Sequence, residues 1–328
     1  MKKAPLFATL ILLAIGAGAQ DNLTTTYTDL SASQLQSGDP SDPGDPPLLG
    51  PAWMPGSPEY QYQLQQQYRL LDPRMFWHRG LVMPQANVTA IFWGKRWNND
   101  RYVGDKIDGL DSWYQGFGNS NYAATSNEYR GLNGQVTSNV AYTGHVIDAT
   151  AATGGYNRAA ILKEVCQQVN NNPDPTGNGY YPVYTDIPRP AGSMYCAYHS
   201  YGTCPGNNTL LQFAFFWSLE GPPGGGKEGC SVKHQEGELG HSLQLAALAD
   251  YSAHELSEAR TDPNNVFGRS GWFDAAGNEN GDKCLAIYGD GPVTFSNGSQ
   301  WKIQSEWSNK AYLGHNGLGF LKGCLPGQ

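Results

Sequence analysis

The chain has 328 residues, 39% hydrophobic and 15% charged, with 41 glycines, 12% aromatic residues and a formal net charge of −8. An acidic chain has nothing to neutralise phosphate with, which argues against nucleic acid and against an anionic membrane as partners. Length allows one large domain or two small ones, and the composition is that of a loop-rich extracellular protein with a substantial aromatic core.

The N-terminus predicts a secretory signal over 1–19. Lys2 and Lys3 precede an apolar run from Ala4 to Ile15, and Ala17-Gly18-Ala19 forms a small-residue cleavage site. Its removal moves the charge to −10, 19 basic residues against 29 acidic. No second apolar stretch follows that is long enough to span a bilayer, so the mature chain is expected to be secreted. Residues 20–74 read as a tether: seven prolines and four glycines lie between Gly38 and Pro58, with too little apolar content to offset ordering. Within it only Gln61–Leu71 has helical character. Residues 75–328 are expected to form the folded part.

From there strands and helices alternate. Asn87–Gly94 is a short apolar run suited to a buried strand, and Ile107, Leu110, Trp113, Tyr114 and Phe117 recur at helical spacing. A second strand is expected in Val136–Ala149 and an amphipathic helix over Ala159–Val169, stopped by Asn170-Asn171-Asn172-Pro173. Tyr180–Ile187 and Leu210–Leu219 are further strands. After a Gly/Pro loop, Ser242–Arg260 is apolar over more than one face, as a helix threaded through a core should be, and Asp262-Pro263 ends it. A late strand is expected around Trp301–Glu306. The pattern predicts an α/β fold: a mixed sheet with flanking helices, zincin-like in its buried motif-bearing helix, and stabilised by disulfides.

That helix carries His254-Glu255-Leu256-Ser257-Glu258. His254 and Glu258 stand one turn apart on one face, where an imidazole and a carboxylate can grip a divalent cation. This is the HExxH spacing of zinc hydrolases with glutamate in the last place. Glu279 is expected as the third ligand, Asp282 as its alternative or support, and Glu255 as the general base. His199 is a further catalytic candidate that could reach the metal or act as an electrophile near it; the alternative is a hydrogen-bonded structural histidine. Zinc is the expected ion; one histidine among carboxylates also suits calcium or manganese. The competing reading is a solvated helical face with His254 at the surface. Against it, Asp250, His254, Glu258 and Asp262 follow one another at four-residue intervals down an otherwise apolar helix.

Two near-motifs fail. Gly221–Lys227 has phosphate-loop spacing, but Glu228 stands where a hydroxyl must hold magnesium. Tyr198-x-Ser200-x-Gly202 lacks the first glycine of a nucleophile elbow. Four glycosylation sequons, at Asn22, Asn87, Asn207 and Asn297, suggest exposed turns. Six cysteines, none in a Cys-x-x-Cys pair, point to three structural disulfides with fifteen possible pairings.

Several ordered segments together resemble the EXORDIUM (phosphate-induced protein) family of plants and its bacterial relatives. They are Ile-Phe-Trp-Gly (91–94), Cys-Ala-Tyr-His (196–199), Ala-His-Glu-Leu-Ser-Glu-Ala through Asp-Pro (253–263) and Gly-Trp-Phe-Asp (271–274). Glu-Asn-Gly-Asp-Lys-Cys (279–284), Trp-Lys-Ile-Gln-x-Glu-Trp-Ser-Asn (301–309) and Lys-Gly-Cys (322–324) complete the set. The resemblance spans about residues 75–324 and implies secretion to the cell wall or apoplast and a link to growth signalling, without naming a reaction. That family also carries glutamate at the position of Glu258. Asn280 departs from its usual aliphatic residue but leaves both neighbouring acids intact. The matching cysteines imply a Cys284–Cys324 disulfide. The function expected is metal-dependent hydrolysis of a peptide or cell-wall substrate; the alternative is a non-catalytic wall or signalling protein whose metal, if any, is structural.

Overall fold

The computed structural model describes residues 45–190, 193–219, 229–230 and 239–328. The expected signal peptide and the Gly221–Lys227 loop fall outside them.

Six strands form one mixed sheet: β1 (Leu49–Trp53), β2 (Ala86–Trp93), β3 (Val140–Asp148), β4 (Gly179–Pro188), β5 (Tyr195–Gly202) and β6 (Leu211–Ser218). Their order is β1-β5-β6-β4-β2-β3. β3, β2, β4 and β6 run parallel, while β5 is antiparallel to both β6 and β1. Every residue of β6 is buried, as a central strand covered on both faces requires. β3 alternates buried or half-buried with exposed positions, the pattern of an edge.

Four main helices accompany the sheet: α1 (Pro58–Arg69), α2 (Lys106–Phe117), α3 (Arg158–Gln168) and α4 (Leu243–Thr261). α4 and α2 share one face, where the Tyr184 hydroxyl of β4 bonds both Ser252 of α4 and Tyr114 of α2, at 2.6 and 2.7 Å. α3 lies on the other face, against Gly202; that residue's Cα faces Leu162, whereas His199 on the same strand points towards α4. α4 starts where Ser242 accepts from the Leu245 amide, Ser242 itself being held by Asp105, and ends where Asp262 turns back to the Glu258 carbonyl. From Leu245 to Thr261 all of its residues are buried. A solvated charged face is therefore excluded.

Residues 262–328 wrap the open side of α4 as turns and two-residue strand pairs. Their Cys284, Trp307 and Cys324 join Met75, Val82, Tyr129 and Val136 in a second, smaller core. Three disulfides, Cys166–Cys204, Cys196–Cys230 and Cys284–Cys324, use all six cysteines. The last is the pairing that the resemblance implied. Three disulfides are consistent with an oxidising, extracellular setting. Among the described residues no helix is long and apolar enough to cross a membrane.

Three expectations need correction. The tether expected over 20–74 does not continue past residue 48: Leu49–Trp53 is a sheet strand, and the helical character expected at Gln61–Leu71 is a helix over Pro58–Arg69, while 20–44 lie outside the described residues. Proline and glycine counted against order there. However, an edge strand pairs on one side only and tolerates a missing N–H, and burial of Ala52 and Trp53 repays its ordering. The late strand at 301–306 is instead two short pieces, Gln300–Trp301 and Glu306–Trp307, in different pairings. Asn87 lies on β2 and bonds Asp174, so it is no exposed turn.

Replacing Cys284 and Cys324 together by serine opens a link across 40 residues. Denaturant unfolding should show a loss of about 3–4 kcal/mol. An unchanged midpoint would show that the second core holds without its covalent tie.

Candidate metal centre

The helical period places His254, Glu255 and Glu258 of α4 between β5 and β1 on one side and the 279–284 segment on the other. His254 Nε2 lies 3.1 Å from Glu258 Oε1 and 3.7 Å from Asp282 Oδ1. On the far side of Glu258, His199 Nδ1 lies 3.6 Å from its Oε2 and 3.4 Å from Glu255 Oε2. His199 Nε2 lies 3.7 Å from Glu279 Oε2. Two triads result, His254–Glu258–Asp282 and His199–Glu258–Glu279, each with its ligand atoms within 4.8 Å of one another.

All six expected site residues thus converge, but not in the expected grouping. Glu279, expected beside His254, faces His199. Asp282, the alternative, completes the His254 triad. His199 was legible only as a lone histidine in a Cys-Ala-Tyr-His segment; its strand went unrecognised because Tyr, His and Ser interrupt any apolar alternation.

Apart from Asp250, which stood on the acidic stripe of the helix, the residues that support the site had no individual signal. Gln304 turns its amide oxygen to His254 Nδ1 at 3.4 Å and donates to the Gly281 carbonyl at 2.9 Å, orienting the ring. Asp250 holds Gln304 in turn, accepting from its backbone amide at 2.6 Å. Gln67 of α1 donates to the Asp282 carbonyl at 3.2 Å. Gly281 exists for close approach: a Cβ there would stand 2.9 Å from Glu258 Oε1 and 3.0 Å from the His254 ring. Gly50 of β1 has φ +41°, and a Cβ would fall 1.9 Å from Glu258 Oε2. Only glycine lets β1 lie across the site.

The electrostatics are costly. His254, Glu255 and Glu258 are fully buried, and Glu279 and Asp282 nearly so. Burial, reinforced by Glu258 and Asp282, pushes the Glu255 carboxyl well above its ordinary range. Burial likewise raises Glu258, with the His199 ring opposing, and lifts Glu279 far up with help from Asp262 and Glu258. Asp282 is pushed up to about 8 by burial and then by Glu258, and Asp262 to about 7 by burial. Burial lowers His254, leaving the neutral imidazole that ligates cations. Tyr180 of β4, buried and close enough to feel Glu255 and Glu258, keeps its hydroxyl protonated and without a hydrogen-bond partner.

The decisive observation is which atoms lack partners. His199 Nδ1, His254 Nε2, both oxygens of Glu255, Glu258 Oε2, Glu279 Oε2 and Asp282 Oδ1 are buried without a hydrogen bond. Buried polar atoms are ordinarily satisfied, and a converging group of orphaned imidazole and carboxylate atoms fits a divalent cation. Among the described residues no Lys or Arg forms an ion pair with any of them; Lys283 is committed to Asp274 at 2.7 Å. The donor set therefore could hold a metal ion, through nitrogen and oxygen ligands and no sulfur. No protein-family model matches this sequence, and no curated protein matches it.

Carboxyls with raised folded pKa values add stability that is present at low pH and lost as pH rises through those values. His254 works in the opposite sense, but below its usual range near 6.5. Between about pH 6.5 and 8.5 the acids dominate. Chelator-treated protein should accordingly melt at a lower temperature at pH 8.5 than at 6.5. A flat or rising profile would show that the carboxyls are not held protonated.

Proposed function

We propose that this chain is a secreted, EXORDIUM-like, metal-dependent hydrolase of zincin-like architecture whose substrate is a peptide. The observation that carries this reading is the convergence on Glu258 of the unpartnered His254 Nε2 and Asp282 Oδ1 at its Oε1, which itself accepts from the Asp282 amide at 2.9 Å, with the unpartnered carboxylate of Glu255 on its other side, 3.4 Å from His199 Nδ1. His254 Nε2, Glu258 and Asp282 Oδ1 would hold the ion, zinc in this reading, and Gln304 would fix the imidazole. When bound, such an ion supplies Lewis acidity to a water and to a substrate carbonyl. Glu255 is the general base. In that role it takes a proton from water and passes it to a leaving amine. The Tyr180 hydroxyl offers a donor for charge developing on the substrate oxygen.

β5 supports the zincin-like reading, as an antiparallel strand that backs the motif helix. Access is controlled by β1 and α1, which cover the site through Gly50 and Gln67. The β1–β5 register is irregular on either side of Ala52, and β1 is an edge, so its departure is the least costly way to open the site. The same closure favours a second reading, a sealed structural ion in a non-catalytic extracellular protein.

The two readings separate on Glu255→Gln. Cleavage of a mixed peptide library is measured before and after proteolytic removal of the segment through Trp53. A hydrolase loses at least about 100-fold in rate in the variant while its metal content is unchanged. Equal, negligible cleavage by parent and variant in both forms, with metal retained, would establish the structural ion instead.

A further inference from the structure

We propose that the centre binds two divalent cations, bridged by Glu258, with the second ion held by His199 and Glu279. This rests on the reading of the His254 side as a metal site and extends it.

The orphaned atoms divide into two groups. His254 Nε2 and Asp282 Oδ1 lie on the Oε1 side of Glu258; His199 Nδ1 and Glu279 Oε2 lie on the Oε2 side. One ion in the first triad leaves the second group buried and unsatisfied, at the cost such groups carry. Each oxygen of Glu258 already faces a different imidazole, the arrangement a bridging carboxylate adopts between ions ~3.5–4 Å apart. Charge agrees. Glu255, Glu258, Glu279 and Asp282 present four carboxylates with orphaned oxygens. One divalent ion leaves them with an excess of two negative charges, and two ions cancel them. The Asp262 backbone carbonyl faces His199 Nε2 at 3.4 Å, an oxygen able to orient the ring for ligation through Nδ1. One nitrogen with carboxylates suits zinc or manganese.

The test titrates the chelator-treated full chain with Zn²⁺ and with Mn²⁺. Bound metal is counted by elemental analysis, and electron paramagnetic resonance is recorded on the Mn²⁺ form. The expected result is two ions per chain and an exchange-coupled Mn²⁺ spectrum. His199→Gln should bind one ion and give an uncoupled spectrum, and His254→Gln should also bind one. Circular dichroism checks that each variant is folded; where one is not, the parent's stoichiometry and spectrum decide. One ion per parent chain, kept in His199→Gln and lost in His254→Gln, would overturn the second site and leave the proposed hydrolase standing. No ion in the parent would overturn both.

Discussion

Everything in this molecule is arranged around acidic groups that have been taken out of water. Four carboxylates with unsatisfied oxygens and two imidazoles meet between α4, β5 and the 279–284 segment, with no lysine or arginine ion-paired to them among the described residues. Removing a charge from water costs several kcal/mol per ion unless an opposite charge is close. A folded protein carries such a cluster only where protons or cations compensate it. Protons can do so for the free chain, which is what the raised carboxyl pKa values express. The donor set and spacing found here could hold cations that do the same.

The fold follows from that requirement. α4 is buried on all sides because its motif must be enclosed, and it is capped at both ends by Ser242 and Asp262 so that its register cannot drift. The sheet supplies His199 from β5, and the C-terminal wrap supplies Glu279, Asp282 and Gln304. The wrap has little regular structure of its own. The Cys284–Cys324 disulfide and the Lys283–Asp274 pair hold it in place, immediately beside the ligand-bearing residues. Gly50 and Gly281 let backbone pass within contact distance of Glu258 from opposite directions.

How much of this was legible in the sequence depended on whether the signal was local. The strands at Ala86–Trp93, Gly179–Pro188 and Leu211–Ser218 and the helices α2, α3 and α4 are written in apolar periodicity and were readable to within a few residues. The spacing of His254 and Glu258 is local too, so their pairing could be foreseen. The division of Glu279 and Asp282 between two imidazoles could not, because it depends on a short 3-10 turn at Asp282–Cys284 that aims neighbouring acids at different rings. β1 was hidden because its order comes from pairing with β5 and from covering Glu258, neither of which its Pro- and Gly-rich composition reveals. Gln304 reads as an ordinary polar residue until the fold brings it behind His254, where Asp250 of the acidic stripe holds it.

The most direct test is anomalous scattering from a crystal of the protein purified without chelator, with data collected on both sides of the zinc and manganese absorption edges. The account predicts an anomalous peak bounded by His254 Nε2, Glu258 and Asp282. Featureless anomalous density there, with Asp282 and Glu258 sharing a proton against the imidazole, would contradict it.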